Sequence, residues 1–276
     1  MRFVQFLLNE AAAPGSQMKI YSLDTVQETV RLLQTKCRNN SARLFAQTEE
    51  MHTQIWRGGG RITQFLMVTA DPSASTRQSE NTSNYYTVIL DNLPSRSHFP
   101  KRSRSLIAVN DYEIAHGFGS PVRVIPYDNT PIGVVNRPDM WNGRIGVSGI
   151  QGVNSMWEDL FRRVSISTGT PPPESVNLTW QDFLRFDNVD EPMTEAIYRR
   201  LLGFDDNVAE VFRTGGIAAA LEEMYGKMLT PAHTMVTDPN DLPPTRTEVW
   251  IGGPVVLIRN SIIDDVSAYA REGEPT

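Results

Sequence analysis

The sequence predicts an α+β fold, because strand-type segments lie on both sides of a block of helices. Residues 24–55 have helical periodicity, and short segments rich in β-branched residues follow them. Helical spacing returns at about residues 150–230, and strand-type sequence resumes near the end of the chain. We therefore expect one domain over residues 23–260 with a helical insertion at about residues 150–230. An N-terminal segment, residues 1–22, and a C-terminal tail, residues 261–276, flank this domain.

The composition is that of an ordinary globular protein, with 40% hydrophobic and 21% charged residues. The formal net charge of −6 does not favour nucleic acid unless the basic residues cluster. The single cysteine, Cys37, excludes an internal disulfide and a multi-thiolate zinc site, and we expect it to be buried on a helix. The histidines are scattered, so we expect no metal site. No apolar run reaches the roughly 18 residues of a membrane span, which predicts a soluble, intracellular protein without a membrane partner.

The first helical stretch has one apolar face, whose members are Val26, Val30, Leu33 and Cys37. Asp24 and Gln27 are placed as a capping pair at its start. The run Asn39-Asn40-Ser41 predicts a break into two helices.

Short strands are predicted next, at residues 62–69, 85–90, 105–109, 122–125 and 132–135. Helices follow, the first after a capping-box signature at Ser155–Glu158 and the others at residues 179–186, 194–202 and 217–228. The last predicted elements are strands at residues 233–236, 248–251 and 255–258.

The first candidate site segment is an arginine followed by glycines, Arg57-Gly58-Gly59-Gly60. Bare glycine backbone lets N–H groups approach a phosphate, and an arginine can bind it bidentately. A flexible turn with a solvated arginine is the alternative.

Two further segments place polar side chains at predicted strand starts. Ser103 and Ser105 precede one strand and bring two hydroxyls near one sheet edge. Glu248 heads a strand that is otherwise strongly apolar, where glutamate is disfavoured. This position suggests a functional carboxylate, and a strand-end cap is the alternative.

In this order the three segments resemble the mono-ADP-ribosyltransferase family, in its arginine–serine–glutamate branch. The run from Ser103 to Leu106 is similar to the family's Ser-Thr-Ser-Leu form, and Phe118-Gly119 and Val124-Ile125-Pro126 resemble the stretch that follows it. The chain also resembles transferase-like proteins encoded by tailed bacteriophages. The resemblance covers roughly residues 50–135 and 232–260.

The resemblance implies a split β-sheet core and NAD as substrate, with no metal. Glu248 would be the catalytic carboxylate, and Ser103 and Ser105 would orient it and the nicotinamide ribose. Arg57, with the backbone of Gly58, would hold the pyrophosphate or adenosine side.

An aromatic ring, Tyr112 or Phe118, would stack on nicotinamide, with core packing as the alternative for both. Two positions depart from the family: Arg104 stands where threonine is usual, and Arg246 stands where an acid or glutamine is common. The acceptor, a host protein or a nucleic acid, therefore stays open, as does an inactive or NAD-hydrolysing relative.

Two other functions compete with the transferase. One is a nucleic-acid-binding module, which would use a local basic patch: Arg96, His98, Lys101, Arg102 and Arg104. The other is a non-catalytic phage virion or partner-binding protein that keeps a transferase-like fold.

The N-terminal segment contains Leu8-Asn9-Glu10 before Ala11, which resembles the Leu-x-Glu cleavage site of phage prohead proteases. This resemblance implies a virion-packaged effector that is processed after Glu10 and acts in the host cytoplasm. A packing or fraying amphipathic segment is the alternative.

Overall fold

A computed structural model of the chain describes residues 19–58, 67–74, 84–135, 144–145, 148–174, 177–226 and 233–272. The chain divides into two compact units. The first unit comprises Met1–Arg77, Phe99–Pro138 and His233–Thr276, and the second comprises Gln78–His98 and Asp139–Ala232. The predicted insertion thus falls in the second unit, which also takes in the segment before Phe99. The Leu8–Glu10 site, Gly59-Gly60 and residues 62–66 lie outside the described residues.

The described strands are β1 Lys19–Ser22, β2 Ile55–Gly58, β3 Met67–Asp71, β4 Leu106–Val109, β5 Pro121–Pro126, β6 Ile132–Val135, β7 Arg144–Ile145, β8 Ser148–Gly149, β9 His233–Val236, β10 Glu248–Ile251 and β11 Val255–Arg259. The described helices are α1 Val26–Lys36, α2 Arg38–Ala46, α3 Tyr85–Asn92, α4 Tyr112–Gly117, α5 Ile150–Thr168, α6 Trp180–Leu184, α7 Glu191–Leu202, α8 Asp206–Leu221 and α9 Ile263–Glu272. The fold is α+β, as the sequence predicts.

One sheet dominates the first unit. Its strand order is β1-β3-β11-β5-β2-β4-β10-β6-β9, and all neighbouring strands are antiparallel. Most neighbours share four or five residue pairs, but β2 and β4 share one, Trp56 with Val109. We call this pair the joint. The joint divides the sheet into two halves. The five-stranded half is β1-β3-β11-β5-β2, and the four-stranded half is β4-β10-β6-β9.

Both halves of the sheet contribute to one apolar cluster. Ile55 and Leu257 come from the five-stranded half, and Ala108 and Val249 come from the four-stranded half; all four are buried in this cluster. The halves therefore turn the same face toward a common core, as two packed sheets do. The opposite face of the five-stranded half is covered by α1, α2 and α9.

The N-terminal helices start and break close to where the sequence predicts. Thr25 caps α1 by accepting the N–H of Glu28, while the Glu28 carboxylate accepts the N–H of Asp24. The capping residues are thus Thr25 and Glu28, each one residue later than the predicted Asp24 and Gln27. The break falls at Cys37, two residues before the predicted Asn39, and the Asp128 carboxylate accepts the N–H groups of Asn39 and Asn40 at the start of α2.

Two segments differ from the sequence-based expectation. Residues 85–90, predicted as a strand, form α3, and that prediction is wrong. All six are buried, with Tyr85 stacked on Phe161, so the apolar run reflects burial on every side rather than a strand. Residues 263–272, left in a C-terminal tail, form α9, whose Val266 is buried against the N-terminal helices.

The second unit is built around an aromatic core. Trp157 and Phe161 of α5 pack ring against ring with Phe183 of α6 and with Phe186, which follows α6. The Trp157 Nε1–H donates to the Tyr225 hydroxyl at 3.0 Å, which satisfies the two buried polar groups. The predicted helices at residues 179–186, 194–202 and 217–228 correspond to α6, α7 and the end of α8.

We expect the Cys37 thiol to be unreactive in the native protein. The side chain is fully buried, and burial together with the charge of Asp128 raises the pKa of the Cys37 thiol well above its usual range. Since the thiolate is the nucleophile, alkylation at pH 8 should be at least about 100-fold slower than in denaturant. Mass spectrometry of iodoacetamide-treated protein measures this, with glutathione as the rate control. Equal native and denatured rates would contradict the buried position.

Candidate active site

Glu248 begins β10, beside the joint. It lies opposite Val109 of β4 and Val135 of β6, and Val109 in turn lies opposite Trp56. Directly paired residues project from the same face of a sheet, so Glu248, Val109 and Trp56 share one face. Glu248 is 4% exposed. The sequence therefore places a buried carboxylate at the point where the two halves of the sheet meet.

Two side chains that the sequence analysis did not assign to the site hold the Glu248 carboxylate. The Trp250 Nε1–H donates to Glu248 Oε1 at 2.6 Å, and Arg102 Nη2 lies 3.7 Å from the same oxygen. The Arg102 guanidinium also lies over the Trp250 ring, 5.7 Å from its centroid. A hydrogen-bond donor and a cation are the partners that a buried carboxylate requires. The two-residue spacing of Glu248 and Trp250 along a strand was the signal available in the sequence.

The two serines lie in the turn before β4. Ser103 is within the 3₁₀ helix Arg102–Arg104, and Ser105 is buried with its hydroxyl donating to the Lys101 carbonyl at 2.7 Å. The first residue of β4 pairs with the last residue of β10. Ser105 therefore lies beside the C-terminal end of β10, whereas Glu248 is at the N-terminal end of that strand. Arg102, in the same turn, extends to the carboxylate.

Arg57 and Gly58 lie at the end of β2. Arg57 alternates with Trp56, so it points to the face opposite to Glu248, and its Nη1 donates to the Ile107 carbonyl of β4. Its guanidinium therefore bridges the joint, and the structure does not bring it onto the face of the candidate carboxylate. A Cβ at Gly58 would lie 2.6 Å from the backbone of Phe118. The absent side chain of Gly58 thus makes room for the end of α4.

The two candidate stacking rings differ in their surroundings. Tyr112 is half-buried, with its ring edge-to-face on Trp56 at 5.1 Å, and belongs to the cluster that also contains Val109. Phe118 is 69% exposed. Packing accounts for Tyr112, and the accessible ring is that of Phe118.

The loop before Glu248 is tied to β4 and α4. The Thr247 N–H donates to Asn110 Oδ1 at 2.7 Å, and Arg246 Nε lies 2.8 Å from Asp111 Oδ2. The other oxygen of Asp111 caps α4 by accepting the N–H of Ile114. Arg246 is 68% exposed in its side chain, so it lies at the outer rim of the loop.

The predicted basic patch is smaller than its sequence suggests. Arg96 is buried within the second unit, where burial lowers its pKa to about 10, against the raising effect of Tyr86 and the acids near it. Arg102 contacts Glu248. His98, Lys101 and Arg104 are the exposed members of the patch.

Within the residues that the structure describes, no cluster of three metal-ligating side chains is present, and no helix has the length and apolar character to cross a membrane. Comparisons with protein families, curated proteins and solved structures returned no match to the chain.

Substitution of Gly58 tests the packing between β2 and α4. Gly58→Ala should destabilise the protein by about 1–3 kcal/mol, because the new methyl group meets the backbone of Phe118 rather than a movable side chain. Gly117→Ala is the matched control, since a Cβ there has open space, and should shift stability by less than about 1 kcal/mol. Urea denaturation compares the variants. Equal stabilities would mean that β2 and α4 do not pack as described.

Proposed function

We propose that this chain is an ADP-ribosyltransferase that transfers ADP-ribose from NAD to a host macromolecule. The observation that carries the proposal is the buried Glu248 carboxylate at the start of β10, beside the joint. The arginine, Ser-x-Ser and glutamate segments occur in the order of the arginine–serine–glutamate transferases. A sheet that divides at a single residue pair is compatible with the split core that this resemblance implies.

In the proposed reaction the bond between the nicotinamide nitrogen and ribose C1′ breaks, and its electron pair leaves with nicotinamide. The ribose becomes oxocarbenium-like, and an acceptor nucleophile donates an electron pair to C1′ and loses a proton to solvent. Glu248 would stabilise the positive charge that develops on the ribose, as carboxylates do in glycoside cleavage. Hydrolysis is the same reaction with water as the acceptor.

The neighbours of Glu248 give the proposal its remaining roles. Ser103 and Ser105 belong to the turn that carries Arg102, so they would orient Glu248 through that arginine. Phe118 offers an exposed ring for nicotinamide. Arg57 and the Gly58 backbone remain our candidates for the pyrophosphate on the order of the motifs alone, because Arg57 points away from the face of Glu248 and would have to leave the Ile107 carbonyl to reach the same NAD molecule.

A transferase of this kind would serve a tailed phage as an effector in the host cytoplasm, with or without packaging in the virion. The acceptor would pass the rim formed by the loop before β10, where Arg246 is exposed. A protein acceptor and a nucleic-acid acceptor both fit this proposal.

A non-catalytic protein with a transferase-like fold is the second candidate. The observation that favours it is that Trp250 and Arg102 of the chain itself already stabilise the Glu248 carboxylate. A structural ion pair would make the same contacts.

Glu248→Gln separates the two candidates. In the transferase, loss of the charge should lower NAD turnover by at least about 10²–10³-fold, because the developing cation loses its partner. Glutamine keeps an acceptor for the Trp250 N–H, so the melting temperature should change little. Release of nicotinamide from NAD, measured by chromatography, reads the rate.

Glu113→Gln is the control for Glu248→Gln, because Glu113 is an exposed acid on α4. It should retain wild-type turnover. A folded Glu248→Gln variant with wild-type turnover would remove Glu248 from the mechanism. If the wild type does not turn over NAD and Glu248→Gln lowers the melting temperature, the structural ion pair is favoured.

Arg57 variants test the pyrophosphate role. Arg57→Ala should weaken NAD binding by about 10-fold or more, and Arg57→Lys should weaken it less, because lysine keeps the charge but not the planar fork. Isothermal titration calorimetry with NAD measures both affinities. Unchanged affinity in both variants would restrict Arg57 to its bond with the Ile107 carbonyl.

A further inference from the structure

Asn110 follows the last residue of β4 and connects three segments around the proposed site. Its Nδ2 donates to the carbonyls of Thr245 at 2.8 Å, Pro243 at 3.2 Å and His52 at 3.3 Å. Its Oδ1 accepts the N–H of Thr247 at 2.7 Å, and its own N–H donates to the Thr247 carbonyl at 3.2 Å. One buried side chain thus links the loop before β10 to the end of β4 and to the 3₁₀ helix before β2.

The contacts of Asn110 require both a donor and an acceptor on a short side chain. The amide supplies two N–H donors to three carbonyls and one oxygen to the Thr247 N–H. An aspartate of the same size would turn a second oxygen toward the carbonyls, where it could neither donate nor avoid repulsion while ionised. An alanine would leave the Thr247 N–H and the carbonyls without these partners, which is costly for buried backbone groups.

The residue fixed by these bonds is the one before the catalytic candidate. The N–H and the carbonyl of Thr247 are both hydrogen-bonded to Asn110. These bonds fix the orientation of the peptide group between Thr247 and Glu248. Trp250 and Arg102 act on the carboxylate itself, whereas Asn110 fixes the backbone from which the carboxylate projects. A carboxylate that stabilises a transition state must be held within a fraction of an ångström of its working position.

We infer that Asn110 is a positioning residue for Glu248, an inference that rests on the proposed function. It contacts neither the carboxylate nor the bound substrate in this assignment, and it acts by holding the loop from Pro243 to Thr247. Its loss should therefore change the rate of the chemical step more than the binding of NAD.

Kinetics of Asn110→Ala test this inference. We expect kcat for NAD hydrolysis to fall about 10- to 100-fold, with KM changed less than about threefold. Asn40→Ala is the matched control, because the Asn40 amide likewise donates to two backbone carbonyls, those of Pro126 and Tyr127 at the end of β5, but away from β10. It should lose stability and keep the wild-type kcat.

Asn110→Asp preserves the volume of the side chain and serves if the alanine variant does not fold. Its kcat should fall to the level expected for Asn110→Ala, although it retains an acceptor for Thr247. A folded aspartate or alanine variant with wild-type kcat would overturn the positioning role, as would an equal loss of kcat in Asn40→Ala.

Amide hydrogen–deuterium exchange separates failure of this inference from failure of the proposed function. In Asn110→Ala, a peptide covering residues 243–249 should exchange about 10- to 100-fold faster than in the wild type, while one covering β5 should not. Unchanged exchange at residues 243–249 would overturn the positioning role. If the wild type neither binds nor cleaves NAD, the proposed function fails, and the exchange result alone decides whether Asn110 holds the start of β10.

Discussion

A single residue pair, Trp56 with Val109, joins the two halves of the sheet, and the arrangement of the candidate site depends on it. The Trp56 ring packs against the ring of Tyr112, the first residue of α4. Arg123, which lies opposite Trp56 on β5, places its guanidinium 5.2 Å from the centroid of the Trp56 ring. Arg57 adds a side-chain hydrogen bond to the Ile107 carbonyl where the backbone ladder between β2 and β4 ends. The joint is therefore stabilised by side chains instead of by a long ladder. Through Val109, this one pair places Glu248 on the same face as Trp56 of the other half.

The loop before β10 is fixed by groups from both ends of the segment that joins β4 to α4. Asn110 binds the backbone of Thr247, and Asp111 divides its two oxygens between Arg246 and the N-terminus of α4. These contacts couple the position of Glu248 to that of α4. The exposed ring of Phe118 follows α4, so the carboxylate and the candidate stacking ring are positioned by one connected set of bonds.

Local patterns in the sequence predicted most strands of the sheet, including β4, β5, β6, β10 and β11, because each alternates or runs apolar between turn residues. They failed at α3, where burial on every side removes the periodicity that distinguishes a helix from a strand. Ser103, Ser105 and Glu248 could be proposed from motif order. Trp250 could have been found from its two-residue spacing to Glu248 on one strand. Arg102 and Asn110 could not be assigned, because their contacts join segments more than a hundred residues apart in the sequence.

Two clusters in the first unit have the same composition, and their difference bears on the proposed chemistry. Each contains an arginine over a tryptophan ring and a glutamate: Arg123 with Trp56 and Glu49, and Arg102 with Trp250 and Glu248. Arg123 is fully enclosed and directly hydrogen-bonded to Glu49, and burial lowers its pKa. Arg102 lies 3.7 Å from Glu248, beyond a normal hydrogen bond, and its side chain keeps 15% exposure.

The longer Arg102–Glu248 distance suits a carboxylate that must exchange the arginine for the developing ribose cation. In the proposed reaction the ribose carries positive charge only as the nicotinamide bond breaks, and Glu248 must face that charge at close range. Arg102 lies beside the carboxylate, which is buried and held by the Trp250 N–H, so Glu248 is already oriented toward a cation. The Arg102 side chain is 15% exposed and that of Arg123 is 4% exposed, so displacing Arg102 from its glutamate would cost less than displacing Arg123.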